Sequence, residues 1–124
     1  MRILVVHWDY PAARRRAAEL RAAGHDVAIE SNESGAAYRK ARTDRPDAIV
    51  LDLGYLQSRT RSATRALNRV FGDRLIFVDG GEHARTRIRH QAPLARFVDA
   101  DDLVAMLERY EPPPYDTGDG PPEP

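Results

Sequence analysis

Short apolar runs alternate along this chain with stretches whose apolar residues recur every three or four positions. Ile3-Leu4-Val5-Val6, Ala48-Ile49-Val50-Leu51-Asp52-Leu53 and Leu75-Ile76-Phe77-Val78 are continuous runs of strand length. Such runs mark strands covered on both faces. Val27-Ala28-Ile29 and Ala95-Arg96-Phe97-Val98 are weaker and suit strands nearer an edge. Between the runs, Ala13, Ala17 and Leu20 form one face of a helix predicted over 11–23, with Gly24 as its stop. Ala37, Tyr38 and Ala41 mark a helix over 34–43, and Ala63, Leu67, Val70 and Phe71 one over 58–71. Ala84 and Ile88 mark a weak helix over 82–90 that Pro93 ends. Leu103, Val104, Leu107 and Tyr110 mark a last one over 101–110, with Asp99 placed to cap it.

Five strand signals, each followed by a helix signal, predict an α/β domain: a parallel sheet with helices on both faces. About 110 residues in βα units fit a flavodoxin-like (βα)5 three-layer sandwich with strand order 2-1-3-4-5. A dinucleotide-binding fold fits less well. No G-x-G-x-x-G follows the first strand, and Gly80-Gly81 alone cannot cradle a pyrophosphate.

The 124 residues carry 19 acidic and 19 basic side chains, a formal net charge of zero at pH 7. That balance argues against a dedicated nucleic-acid binder, and Arg14-Arg15-Arg16 reads as a solvated helix face. Cysteine is absent, which excludes disulfides, thiol nucleophiles and Cys-ligated zinc. No apolar run approaches the ~20 residues of a membrane span, and the N-terminal run is too short for a signal peptide. The expectation is a cytoplasmic protein. Residues 111–124 read EPPPYDTGDGPPEP, with six of the nine prolines and four acids without a base. Proline removes donors and blocks helical geometry. The predicted division is therefore a folded body over 1–110 and a disordered, acidic, Pro-rich tail over 111–124. Without the tail the body is near +4, and Lys40 is its one lysine. Pro112-Pro113-Pro114-Tyr115 fits the short pattern read by polyproline-binding modules, a pattern that a proline-rich linker also yields by composition.

In open α/β sheets, ligands bind outside the carboxyl ends of the strands, at the switch point. His7, Trp8 and Asp9 leave the first strand there, Asp52 lies near the end of the third, and Asp79 and Asp99 end the fourth and fifth. Clustered carboxylates repel, so one must take a proton or the group must recruit a cation, for which oxygen ligands favour Mg²⁺. Asp9 and Asp99 also serve as plain helix caps in this arrangement, and Asp79 as a turn former before Gly80-Gly81. Asp52 lies inside an apolar run, where an unpaired carboxylate is costly. It is the candidate with the strongest functional signal.

The pattern Ile3-Leu4-Val5-Val6, an amphipathic helix, Gly24-His25-Asp26-Val27 and Pro46-Asp47-Ala48-Ile49-Val50-Leu51-Asp52-Leu53 resembles the receiver domain of bacterial response regulators over residues 1–110. The resemblance implies the same fold and makes Asp52 the candidate phosphoacceptor of a histidine kinase. It implies a Mg²⁺ site from an acidic pair after the first strand, the acceptor, and the carbonyl of Gly54. A hydroxyl ending the fourth strand and a lysine after the fifth would contact the phosphoryl group. Carried over by position, the acidic pair falls on His7 and Trp8, with Asp9 one place late. The hydroxyl falls on Asp79 and the lysine on or near Ala100.

These departures point to a degenerate receiver. Phosphoryl transfer relies on positioning and on cations that neutralise spreading charge. The lysine is lost, and Asp79 adds an anion. Two like charges ~4 Å apart cost up to ~4 kcal/mol at an effective dielectric near 20. The sequence thus predicts a pocket that kept its carboxylate and lost its positive charge, an expectation that an arginine reaching the pocket would overturn. The functional expectation is a non-enzymatic signalling domain that docks to a protein partner. A histidine kinase is one candidate partner, and a homodimer through 82–110, rich in Arg85, Arg87, Arg89 and Arg96, is another. Two alternatives stand beside it. One is a phosphorylatable receiver whose Mg²⁺ site uses Asp9, Asp52 and Gly54. The other is a small enzyme or ligand binder at the same edge, for which no complete nucleophile–base motif is legible and no catalytic residue is assigned.

Overall fold

The computed structural model describes residues 1–115. Five strands, β1 (Arg2–Val6), β2 (Asp26–Glu30), β3 (Ala48–Asp52), β4 (Leu75–Val78) and β5 (Arg96–Val98), alternate with five helices. The helices are α1 (Tyr10–Ala22), α2 (Ser34–Asp44), α3 (Gln57–Phe71), α4 (Gly81–Gln91) and α5 (Leu103–Arg109). The strands form one parallel sheet in the order β2-β1-β3-β4-β5, the order expected from the alternation of elements. No helix among the described residues is long and apolar enough to cross a membrane.

Successive strand residues point to opposite faces, and that parity divides the core into two layers. Ile3, Val5, Val50, Ile76 and Val78 pack with Ala13, Ala17 and Leu20 of α1 and Leu103 and Leu107 of α5. Leu4, Val6, Ile49, Leu51, Leu75 and Phe77 pack with Ala37 and Ala41 of α2, Ala63, Leu67 and Phe71 of α3, and Ile88 of α4. The apolar stripes read from spacing meet the sheet as predicted, with one exception. Val70 is 41% exposed; Leu67 and Phe71, three and four residues from Ala63 and from each other's turn, suffice to cover β3 and β4.

The segment read as a disordered tail is not all loose. Glu111–Tyr115 folds back on the domain, and the Tyr115 hydroxyl donates to the Pro46 carbonyl at 2.6 Å. Residues 116–124 lie outside the described part of the chain.

Three consecutive residues join β4 to α4 in the left-handed region: Asp79 (φ 61°), Gly80 (φ 91°) and Gly81 (φ 72°). An added Cβ on Gly80 would stand 2.3 Å from the Leu53 Cβ, whereas one on Gly81 would meet nothing within 4 Å. Gly81→Ala is therefore expected to cost only the left-handed penalty, about 1–2 kcal/mol. Gly80→Ala adds about 1–3 kcal/mol of overlap with Leu53. Urea unfolding of the two variants measures the difference; equal losses would show that this turn adapts freely.

Candidate functional site

Register builds the site. Val6 is paired with Leu51, and Asp52 with Val78, so His7, Asp52 and Asp79 leave adjacent strands at one edge. Asp52 has the parity of Val50, whose layer is covered by α1. Its side chain therefore leaves the sheet toward that helix. There Arg16 brings a guanidinium Nη2 to 3.5 Å from Asp52 Oδ2. The pair is well enclosed, with side-chain exposures of 14% for Arg16 and 12% for Asp52.

Three donors converge on this carboxylate. Beside Arg16, the His7 Nε2 stands 3.6 Å from Oδ2. The Gly54 backbone N–H donates to Oδ1 at 2.7 Å. The Asp9 backbone N–H donates to His7 Nδ1 at 3.1 Å, which assigns the proton of the neutral ring to Nε2, the nitrogen nearer Asp52. Tyr55 stacks over the ring, centroids 5.8 Å apart. Burial holds His7 below the usual imidazole value; Asp52 pulls it up, and Arg16 pushes it down again.

The expectation of a pocket without positive charge is thereby corrected. Arg16 supplies a cation from a direction that motif positions do not register. Its helical position carried the signal. Arg16 precedes Leu20 by one turn and adjoins Ala17, so it borders the apolar stripe, whereas Arg14 and Arg15 are exposed.

The other predicted residues take different places. Trp8 has the parity of Val6 and joins the layer on the opposite face, with its indole N–H donating to Thr60 Oγ1 at 3.0 Å. The same hydroxyl donates to the Asp52 carbonyl at 3.0 Å. Thr60, which no sequence pattern singled out, thus ties the acceptor strand to α3. Asp79 acts as a clasp: its Oδ1 accepts from the Ala100 N–H at 2.9 Å, joining the ends of β4 and β5. Asp9 and Asp99 sit at N-cap positions, yet neither side chain makes a capping hydrogen bond. Asp99 instead pairs with Arg85 at 2.9 Å, and Arg85 also donates to the carbonyls of Asp79 and Val98.

This donor set fits Mg²⁺ poorly. Magnesium requires near-octahedral oxygen ligation, and among the described residues no three or more His, Asp or Glu side chains are grouped to hold a metal. Both oxygens of Asp52 already face N–H groups. A divalent ion ~4 Å from a guanidinium meets a repulsion of about 8 kcal/mol at an effective dielectric of 20.

The buried imidazole sets a pH dependence. Its folded-state pKa lies below the unfolded value, so the unfolded chain takes up the proton first, near pH ~6.5. Stability is therefore full above that pH and falls as the pH drops toward the folded pKa. His25, also held low by burial and by the N-terminal amine, adds to the same slope. His7→Asn keeps an acceptor for the Asp9 N–H and is expected to flatten the fall in urea midpoint below pH ~6.5. An unchanged slope would locate the dependence at His25 alone.

Comparison with known proteins yields no matching family model and no matching curated protein. Solved structures do match. A two-component response regulator of the LuxR family from Aurantimonas sp. SI85-9A1 is 24% identical with a TM-score of 0.67, covering 87% of this chain and 79% of that one. The signal receiver domain of a modulated diguanylate cyclase from Desulfovibrio desulfuricans G20 is 22% identical with a TM-score of 0.61, covering 87% of each chain. The receiver domain of a sensor histidine kinase from Pseudomonas aeruginosa PAO1, with a magnesium ion coordinated in its active site cleft, is 24% identical with a TM-score of 0.67. That match covers 87% of this chain and 91% of that one. Strand order, helix placement and the acidic residue at the end of β3 agree with these likenesses: the chain has the fold of two-component receiver domains.

Proposed function

We propose that this chain is a receiver-type signalling domain that acts by docking to a protein partner, with Asp52 held outside the Mg²⁺-dependent phosphorylation cycle. The observation that carries the reading is the enclosure of Asp52 by Arg16, His7 and the Gly54 N–H. In phosphoryl transfer to a carboxylate, a metal ion aligns the donor and neutralises its oxygens. Here a guanidinium tied to α1 occupies the side of the carboxylate from which a cation would act. The proposed state of the site is thus fixed by the chain's own charge, and the domain has no catalytic role.

Arg16 also supports a second reading, in which the guanidinium itself neutralises an incoming phosphoryl group and Asp52 accepts it without metal. A Mg²⁺ site from Asp9, Asp52 and the Gly54 carbonyl gains less support, because Gly54 and Asp52 are already bonded to each other through the Gly54 N–H. The partner is proposed to be another signalling protein, a histidine kinase being one candidate. A homodimer through 82–110 draws less support from charge than the sequence suggests. Arg85 pairs with Asp99, Arg89 with Glu82, and Arg96 lies over the Tyr110 ring, so these arginines are engaged within the chain.

Incubation with acetyl phosphate, with Mg²⁺ or with EDTA, followed by mass spectrometry tests the reading. No phosphoryl adduct is expected in either condition. An adduct formed in EDTA and lost in Arg16→Gln would favour the metal-free acceptor. A stoichiometric, Mg²⁺-dependent adduct on Asp52 would refute both.

A further inference from the structure

At the opposite edge of the sheet lies a second organised site. Pro46 enters β3 and Arg74 enters β4, so both stand at the N-terminal ends of their strands, away from Asp52. Tyr110, at the end of α5, packs with the layer under α1 and α5, and its hydroxyl donates to the Asp47 carbonyl at 3.2 Å. Tyr115 packs against the other layer. The segment Glu111–Tyr115 therefore straps across the bottom edge of the sheet, from one face to the other.

Tyr115 ends the strap between two guanidinium groups. The Arg74 Cζ lies 3.6 Å from its ring centroid and the Arg45 Cζ 4.5 Å. Its hydroxyl donates to Pro46 O at 2.6 Å. Burial, opposed by the two arginines, pushes the phenol up to about 12, so it keeps its proton for that bond at neutral pH. Arg74 gives the slot its demand for a ring. It is 3% exposed, and its Nη1 is buried with no hydrogen-bond partner. A desolvated cation is costly unless compensated, and the face of an aromatic ring compensates a guanidinium best when water is excluded. An aliphatic side chain would cover Arg74 without meeting its charge.

The occupant belongs to Pro112-Pro113-Pro114-Tyr115, the segment whose pattern suits polyproline-reading modules. In the closed strap its tyrosine is spent on the chain itself. We propose that the slot formed by Arg45, Pro46 and Arg74 is a binding site for a tyrosine-bearing proline-rich segment, filled by the chain's own 112–115, which withholds that motif from a polyproline-reading protein until the slot is vacated. Opening exposes two complementary surfaces at once, the motif and the slot. The attachment is intramolecular, so the strap competes at an effective concentration of order millimolar, and a competing peptide must overcome that.

The probe is a fluorescein-labelled peptide of the sequence EPPPYDT, with anisotropy read against the full chain. Tyr115→Ala vacates the slot and is expected to bind the peptide at least about tenfold more tightly than the wild type, whose strap competes with it. Adding Arg45→Gly should abolish the gain. That substitution removes the guanidinium and suits the left-handed backbone at Arg45 (φ 50°). Equal binding to wild type and Tyr115→Ala, or none to a Tyr115→Ala chain that circular dichroism shows folded, would overturn the proposal. An independent measurement uses the native tail: chymotrypsin should cleave after Tyr115 slowly in the wild type and faster in Arg45→Gly. Equal rates would overturn the proposal even if Tyr115→Ala failed to fold.

Discussion

Asp52 ends a strand whose other residues are all buried, and the carboxyl edge of the sheet is organised around compensating its charge. A carboxylate there cannot stand alone, because the apolar layers on both sides give it little water. The fold answers with three N–H groups from three different places: α1, the end of β1 and the loop after β3. Each depends on the sheet. The β1–β3 register sets His7 beside the acid, the packing of Ala13, Ala17 and Leu20 sets the rotation of α1 and hence Arg16, and the backbone turn after Asp52 aims the Gly54 N–H.

Arginine carries nearly all the positive charge here, and the structure uses what separates it from lysine. A planar guanidinium can stack on a ring and donate from its edge at the same time. Arg59 lies over the Trp8 ring and donates to the Asn32 carbonyl. Arg85 clamps two carbonyls and one carboxylate at the ends of β4 and β5. Arg74 lies under Tyr115, and Arg96 over Tyr110. These are cross-links between elements rather than solvated charge. They draw arginines inward that a charge count assigns to the surface, and they leave the two ends of the sheet with different chemistry. One end holds a compensated acid; the other holds a cation covered by a ring.

Residues at the predicted site prove to have divided roles. His7 joins Asp52, as their places at neighbouring strand ends foretold. Trp8 is one residue further along β1's exit and points to the other face, where it bonds to Thr60. Asp79 and Ala100, placed by the family pattern where a hydroxyl and a lysine would act on phosphate, instead bond to each other. A clasp between β4 and β5 has replaced two reactive groups, which keeps the strand ends together without a ligand.

The sequence by itself determined the sheet, its order, the helix faces and the position of Asp52. Those features follow from local periodicity and from the handedness of βα units, both of which depend on residue spacing alone. Even the exposure of the site to one edge was legible, since parallel strands end together. What only the tertiary structure decided is which charges meet. Arg16 is 36 positions from Asp52, and Tyr115 is 69 from Pro46. A side chain with several rotatable bonds reaches wherever packing and desolvation leave it a partner. That choice is made by the assembled surfaces around it, not by the residues beside it in the chain.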